Sequence, residues 1–158
     1  MSDDSNSTAA PPSETALRLR AETTDDLLVF SAVLQDAVTV AADMAWLPGE
    51  RRFALMLNRY LWEEEAAQAA GGARRRIRCA LHFDSVQSVA LRDISRKARA
   101  KPLELLALHA DRLEDGGGTV YLLFAGGGAI RLAVECIDGY LSDTGEAWPC
   151  RHRPDHKA

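Results

Sequence analysis

Two segments flank a run of three glycines and leave the backbone little choice. Val120, Leu122 and Phe124 alternate with Tyr121, Leu123 and Ala125. Beyond Gly126, Gly127 and Gly128, the residues Ile130, Leu132, Val134 and Cys136 alternate with Arg131, Ala133 and Glu135. Period two is the side-chain repeat of a strand, so both flanks predict strands with one apolar face turned to a core. A phosphate-cradling loop would instead need a helix opening after the glycines, with Lys and Ser or Thr at its start. The chain continues Ala-Ile-Arg-Leu-Ala-Val-Glu, which has strand period and none of those residues. A dinucleotide fingerprint fails for the same reason. The glycines therefore predict a hairpin tip, where positive φ is needed.

The same period recurs along the chain. Leu17 and Leu19 alternate with Arg18 and Arg20, and Ile77, Cys79, Leu81 and Phe83 alternate with Arg78, Ala80 and His82. Val89 and Leu91 suggest a return strand after Asp84-Ser85. Two β-rich arms flank Leu47-Pro48-Gly49-Glu50, a tight-turn sequence. In the second arm Phe53, Leu55, Leu57 and Leu61 face one way, interrupted by Arg59, and Met56, Asn58, Tyr60 and Trp62 face the other. The stretch 103–109 does not alternate cleanly; it reads as a strand, with a short helix as the alternative. One segment has helical spacing, with Leu27, Phe30, Leu34 and Val38 on one face, widened by Leu28 and Val33. Thr23 or Thr24 caps it, and Asp25 and Asp26 favour the positive end of its dipole. The expected helix runs over 25–38. These elements predict an α+β domain: about 7–8 antiparallel strands in a curled sheet, half-barrel or sandwich, with one N-terminal helix packed on it.

A chain of 158 residues, 47% hydrophobic and 27% charged, is long enough to bury a core as a single domain. The expected organisation is a disordered lead-in over 1–15, one domain over 16–148 and a polar tail over 149–158. The lead-in is acidic and rich in Ser, Thr and Pro, unlike a secretory signal. The connection after Trp62, with Glu63, Glu64 and Glu65 at one end and Arg74, Arg75 and Arg76 at the other, is expected to be exposed. No apolar run approaches the roughly 20 residues that span a bilayer. Three cysteines fit neither a disulfide framework nor paired zinc knuckles, which points to free thiols and a cytoplasmic setting.

Chemistry-bearing constellations are few. Cys150, His152 and His156 have ligand-type spacing but lie in the tail without a neighbouring fourth ligand, so no metal or cofactor is expected. His82 and His109 are each isolated, with no nucleophile assignable to either. Cys79 and Cys136 fall on inward strand positions as small hydrophobes. The basic runs around 74–78 and 96–101 could meet phosphates, but the chain carries a net charge of −4 and neither run has interleaved aromatics. The polar residues Asp43, Arg52, Asn58 and Arg59 of the first hairpin remain as binding candidates. Met56, Tyr60 and Trp62 form a candidate interaction surface.

The phrases "LLVFSAVLQDAV", "DMAWLPGERRFALMLNRYLWE" and "FAGGGAIRLAVECIDGYLSDTGEAW" resemble a small bacterial family defined only as a domain of unknown function, DUF family 2948. The resemblance spans about 17–148 and implies no catalytic or binding residue. The expected function is therefore a non-enzymatic binding or assembly module, acting through a homodimer or a protein partner. An enzyme whose polar residues meet only in space is the alternative. Nucleic-acid binding through the basic runs ranks third.

Overall fold

A computed structural model describes residues 16–61, 75–112, 117–145 and 148–149. The lead-in, Trp62 with the connection after it, and the Cys150, His152 and His156 cluster lie outside the described residues. The elements run β1 (Arg18–Ala21), α1 (Thr24–Val33), β2 (Val38–Thr39), β3 (Met44–Leu47), β4 (Arg52–Tyr60), β5 (Arg75–Phe83), β6 (Val86–Arg92), β7 (Leu103–Arg112), β8 (Gly118–Phe124), β9 (Ala129–Val134), β10 (Gly139–Asp143) and β11 (Trp148–Pro149). All strand pairs are antiparallel. The 11-stranded sheet has the order β1-β10-β5-β4-β2-β7-β8-β9-β6, with β3 added on β4 and β11 on β5. The α+β class, the antiparallel pairing and the one α-helix among the described residues agree with the sequence reading. The strands beyond those expected are β2, β10 and β11.

Chain connection explains why the sheet curls. Strands β5 and β6 are joined only by Asp84 and Ser85, yet they stand far apart in the sheet order. A two-residue link cannot cross a flat sheet, so the β6 edge must return toward β4 and β5. The Val86 amide donates to the Arg51 carbonyl at 2.9 Å, fixing that return. The link between β9 and β10 crosses the same gap in the opposite sense. The two links are tied by Asp84 N–H to the Asp138 carbonyl and Glu135 N–H to the Ser85 carbonyl, each 2.9 Å. Arg51 and Ser85 hold left-handed φ values of 55° and 62° here, an uncommon conformation for residues with a Cβ.

Inside the curl lie Phe53, Leu55 and Leu57 of β4, Cys79, Leu81 and Phe83 of β5, and the alternate apolar residues of β8 and β9. The helix closes this core with Leu27, Phe30 and the residue after its end, Leu34. Its start is a reciprocal capping box. The Thr23 hydroxyl accepts from the Asp26 amide at 3.0 Å, and the Asp26 carboxylate accepts from the Thr23 amide at 3.1 Å. The Asp26 carboxylate also accepts the Glu22 amide at 2.8 Å, the main cause of its lowered pKa. The helix stops at Val33, short of the expected 38, because the following chain is captured by β7: the Asp36 amide donates to the Leu105 carbonyl and Leu105 to Ala37, both at 2.8 Å. Asp36 makes the bend at φ 66°. Leu28 does not widen the buried face; it is 63% exposed, and Val29 beside it is 51% exposed.

Three further sequence expectations can be placed. The Gly126–Gly128 segment is the β8–β9 hairpin tip, with φ of 88° at Gly126 and 100° at Gly127, and β9 follows it. The irregular 103–112 stretch is a strand whose register shifts between Leu105 and Ala107. That bulge puts Leu105 and Leu108 on the same buried face and leaves Leu106 outside, which explains the broken alternation. Cys136 is a correction: β9 ends at Val134, and the thiol is exposed in the β9–β10 link. The span expected to be an exposed connection reached Arg76, whereas β5 already begins at Arg75.

Candidate functional site

The polar residues of the first hairpin separate into three places. Arg59 turns inward with Leu55 and Leu57. Its side chain is 0% exposed and meets Asp143, 1% exposed, through Nε to Oδ1 at 2.9 Å and Nη2 to Oδ2 at 2.8 Å. Nη1 donates to the Tyr60 carbonyl at 3.0 Å, and the Leu17 amide donates to Asp143 at 2.8 Å. This fork-to-fork geometry offsets the desolvation of both charges and ties β4, β10 and the start of β1 together. Arg59 is thus a buried tie.

Asp43 and Asn58 meet Arg78 on the outer face. Its Nη2 donates to Asp43 at 3.2 Å and its Nη1 to the Asn58 side chain at 3.3 Å. Next to them Arg76 lies 4.2 Å from the Tyr60 ring centroid and donates to the Tyr60 hydroxyl at 3.0 Å. Tyr60 is consequently buried, at 3% exposure, and offers no contact surface of its own; Met56 is half-buried. Glu104, across β2 from Asn58, has its pKa raised by burial and then by a hydrogen bond with Asp36.

Arg52 sits at the other end of β4, where the two interstrand links meet. Its Nε donates to Asp84 at 2.7 Å, and His82 Nε2 lies 3.9 Å from the same carboxylate. The His82 ring stacks on Tyr140 with centroids 4.7 Å apart, and Arg20 lies 5.3 Å from the Tyr140 centroid. Arg20 also donates to Asp138 at 3.2 Å. Burial lowers the His82 pKa against the opposing pull of Asp84, which favours the neutral imidazole. The hydrogen bond to Asp84 raises the Arg52 pKa, and a hydrogen bond with Asp138 raises that of Tyr140. A histidine, a carboxylate and an arginine are therefore brought together from β5, the link and β4, although the sequence shows each alone. The cations of this corner are held by its acids: Arg52 by Asp84, Arg20 by Asp138, and Arg51 by Glu135.

The outer face of β6 to β9 is different. A groove of about 460 Å³ runs over it. One row crosses four strands in register: His109, Tyr121, Arg131 and Ala90. The His109 and Tyr121 rings stack with centroids 5.9 Å apart and planes 26° apart. His109 Nε2 lies 2.9 Å from Asp111. Leu91, Leu123 and Ala129 supply the apolar floor, and Arg92 stands opposite Ala129 at the glycine-turn end. Among the described residues, no carboxylate lies within salt-bridge reach of Arg92 or Arg131. Sequence reading missed this groove because its aromatics lie on β7 and β8, remote from the basic run at 96–101. A period-two comparison of Tyr121 with Arg131 across the glycine hairpin was the available signal.

Among the described residues, no helix is long and apolar enough to cross a membrane, and no group of His, Cys, Asp and Glu is placed to hold a metal ion. Fold and surface define an antiparallel α+β domain with a buried ion pair at one end and an open polar groove on the outer face. The chain belongs to the family described as protein of unknown function (DUF2948), whose model matches residues 17–156. Neither a curated protein nor a solved structure matches the chain.

Proposed function

We propose that the protein is a non-enzymatic binding module whose ligand site is the groove on the outer face of β6–β9. The observation that carries this reading is the state of the cations. Arg131 stands beside Tyr121 in register and, with Arg92, has no acidic partner among the described residues. The corner guanidiniums of Arg20, Arg51 and Arg52 each have one. An exposed arginine next to an aromatic face and an apolar floor suits an anionic ligand. Asp111, the acid of the groove, is engaged by His109.

Pyrophosphate is the probe that tests this. Calorimetric titration should show binding that weakens with salt and is reduced at least fivefold by Arg131→Gln. Absence of binding at low ionic strength, or equal binding by Arg131→Gln, removes the proposal.

A second reading draws on the corner. His82, 3.9 Å from Asp84 and beside Arg52, has the composition of a general-base site dispersed over separate elements. It predicts turnover of p-nitrophenyl esters or phosphates that His82→Gln abolishes. Equal rates in the two proteins would remove it.

A further inference from the structure

We propose that the groove takes a nucleotide: a planar base against the Tyr121–His109 pair and its phosphate on Arg131 and Arg92. This rests on the reading of the groove as an anion site and adds the chemical class of its ligand.

The in-register row sets the geometry. Neighbouring strands lie about 4.8 Å apart, so Tyr121 on β8 and Arg131 on β9 are one strand spacing from each other. A base stacked on Tyr121 would hold its sugar over β9, with its phosphate within reach of the Arg131 guanidinium. The His109 ring backs Tyr121 from the neighbouring strand, and Asp111 holds the imidazole at 2.9 Å. Such a platform recognises the π face that every base carries, and Arg adds bidentate contact to phosphate. The groove volume of about 460 Å³ lies in the range of small-ligand sites.

The surroundings extend the positive path. Beyond Arg92 the chain passes over the glycine turn, where a Cβ on Gly128 would lie 3.1 Å from Ile94 Cγ1. It then presents Arg96, Lys97, Arg99 and Lys101, all exposed and without acidic partners among the described residues. A polyphosphate tail or a continuing strand that left the groove past Arg92 and the turn at Asp93 would meet these oppositely charged side chains, which a single anion would not reach.

The test compares pyrophosphate, AMP, ATP and a single-stranded hexanucleotide by calorimetry on the full chain. ATP should bind about tenfold or more tightly than pyrophosphate, because base stacking adds to the phosphate contact. Tyr121→Leu should remove that advantage while leaving pyrophosphate binding intact, and Tyr121→Phe should retain it. Arg131→Gln, an exposed change that spares the fold, should weaken every probe. Binding of the hexanucleotide alone, lost in the same variants, supports the nucleotide unit within a strand. Equal affinity for ATP and pyrophosphate, or indifference to Tyr121→Leu, overturns the nucleotide and leaves the anion site standing. No binding of any probe overturns both.

Discussion

Replacing Asp143 by Ala removes the carboxylate that neutralises a wholly buried guanidinium. The structure sets the magnitude. Arg59 is 0% exposed, and it would lose acceptors now at 2.9 and 2.8 Å, keeping the Tyr60 carbonyl at 3.0 Å. The Leu17 amide would lose its acceptor as well. Breaking one side of a buried pair costs about 3–5 kcal/mol, because the charge that remains loses a carboxylate without gaining water. For a domain of this size that corresponds to a fall in Tm of about 6–20 °C. Replacing both partners by apolar residues of similar volume, Arg59→Met with Asp143→Leu, leaves no charge to strand. The double variant should lie within about 2 kcal/mol of the parent protein. Urea unfolding followed by circular dichroism, with unchanged m-values, measures the parent, Asp143→Ala, the double variant and its two single components, Arg59→Met and Asp143→Leu, and yields the coupling energy. A loss below about 1 kcal/mol for Asp143→Ala, or strict additivity of the two single changes, would refute the assignment of this pair as a buried tie.

Other perturbations test other parts of the fold. Burial pushes the Cys79 thiol up to about 12, so with Cys150 replaced by Ser, maleimide at pH 8 should modify exposed Cys136 and spare Cys79 until unfolding; two rapid adducts on the native protein would contradict the packing. His82 holds its proton less tightly in the folded state than in the unfolded chain, where the value is about 6.5. Its contribution to stability is therefore present above that value and lost as pH falls through the lower folded one; His82→Gln should flatten the acid limb, and an unchanged slope counts against the stacked imidazole. Glu104 has the opposite sign: its raised pKa favours the protonated acid in the fold, so that contribution is lost as pH rises through the folded value. Glu104→Gln should raise stability at pH 7, and a loss in chemical denaturation would oppose the pairing with Asp36. Gly139→Ala would place a Cβ 2.7 Å from the Phe83 ring and should cost about 1–3 kcal/mol; a neutral result would show that the ring can yield.

Where one face of a strand is buried and the other is not, period two survives in the sequence, and β4, β5, β8 and β9 were legible for that reason. Strand β10 was not. Gly139 reads as a turn residue in a sequence, whereas in the fold its missing side chain admits Phe83, and Leu141 alone marks the buried face. The β7 bulge and the early helix stop share a cause: Leu105 pairs with the chain at Asp36 and Ala37, a tertiary contact that local spacing does not encode. Arg59 was visible as an interruption of an apolar face, but its partner Asp143 was not. That pairing depends on β10 lying against β5, which in turn lies against β4. The groove was hidden in a similar way, since His109, Tyr121 and Arg131 become neighbours only through strand register.

The order of strands has a kinetic consequence. Strands β7, β8 and β9 follow one another in the chain and pair in that order, so this half can form through short-range closures. The half containing the buried ion pair joins β1 to β10 and β10 to β5, which sets Arg18 opposite Ser142. Those contacts must wait until nearly the whole domain has been gathered, which places them late on the folding route. Amides of β1 should then gain protection from exchange after those of β8. The groove-bearing half would be in place before the ion pair locks the two ends of the domain together.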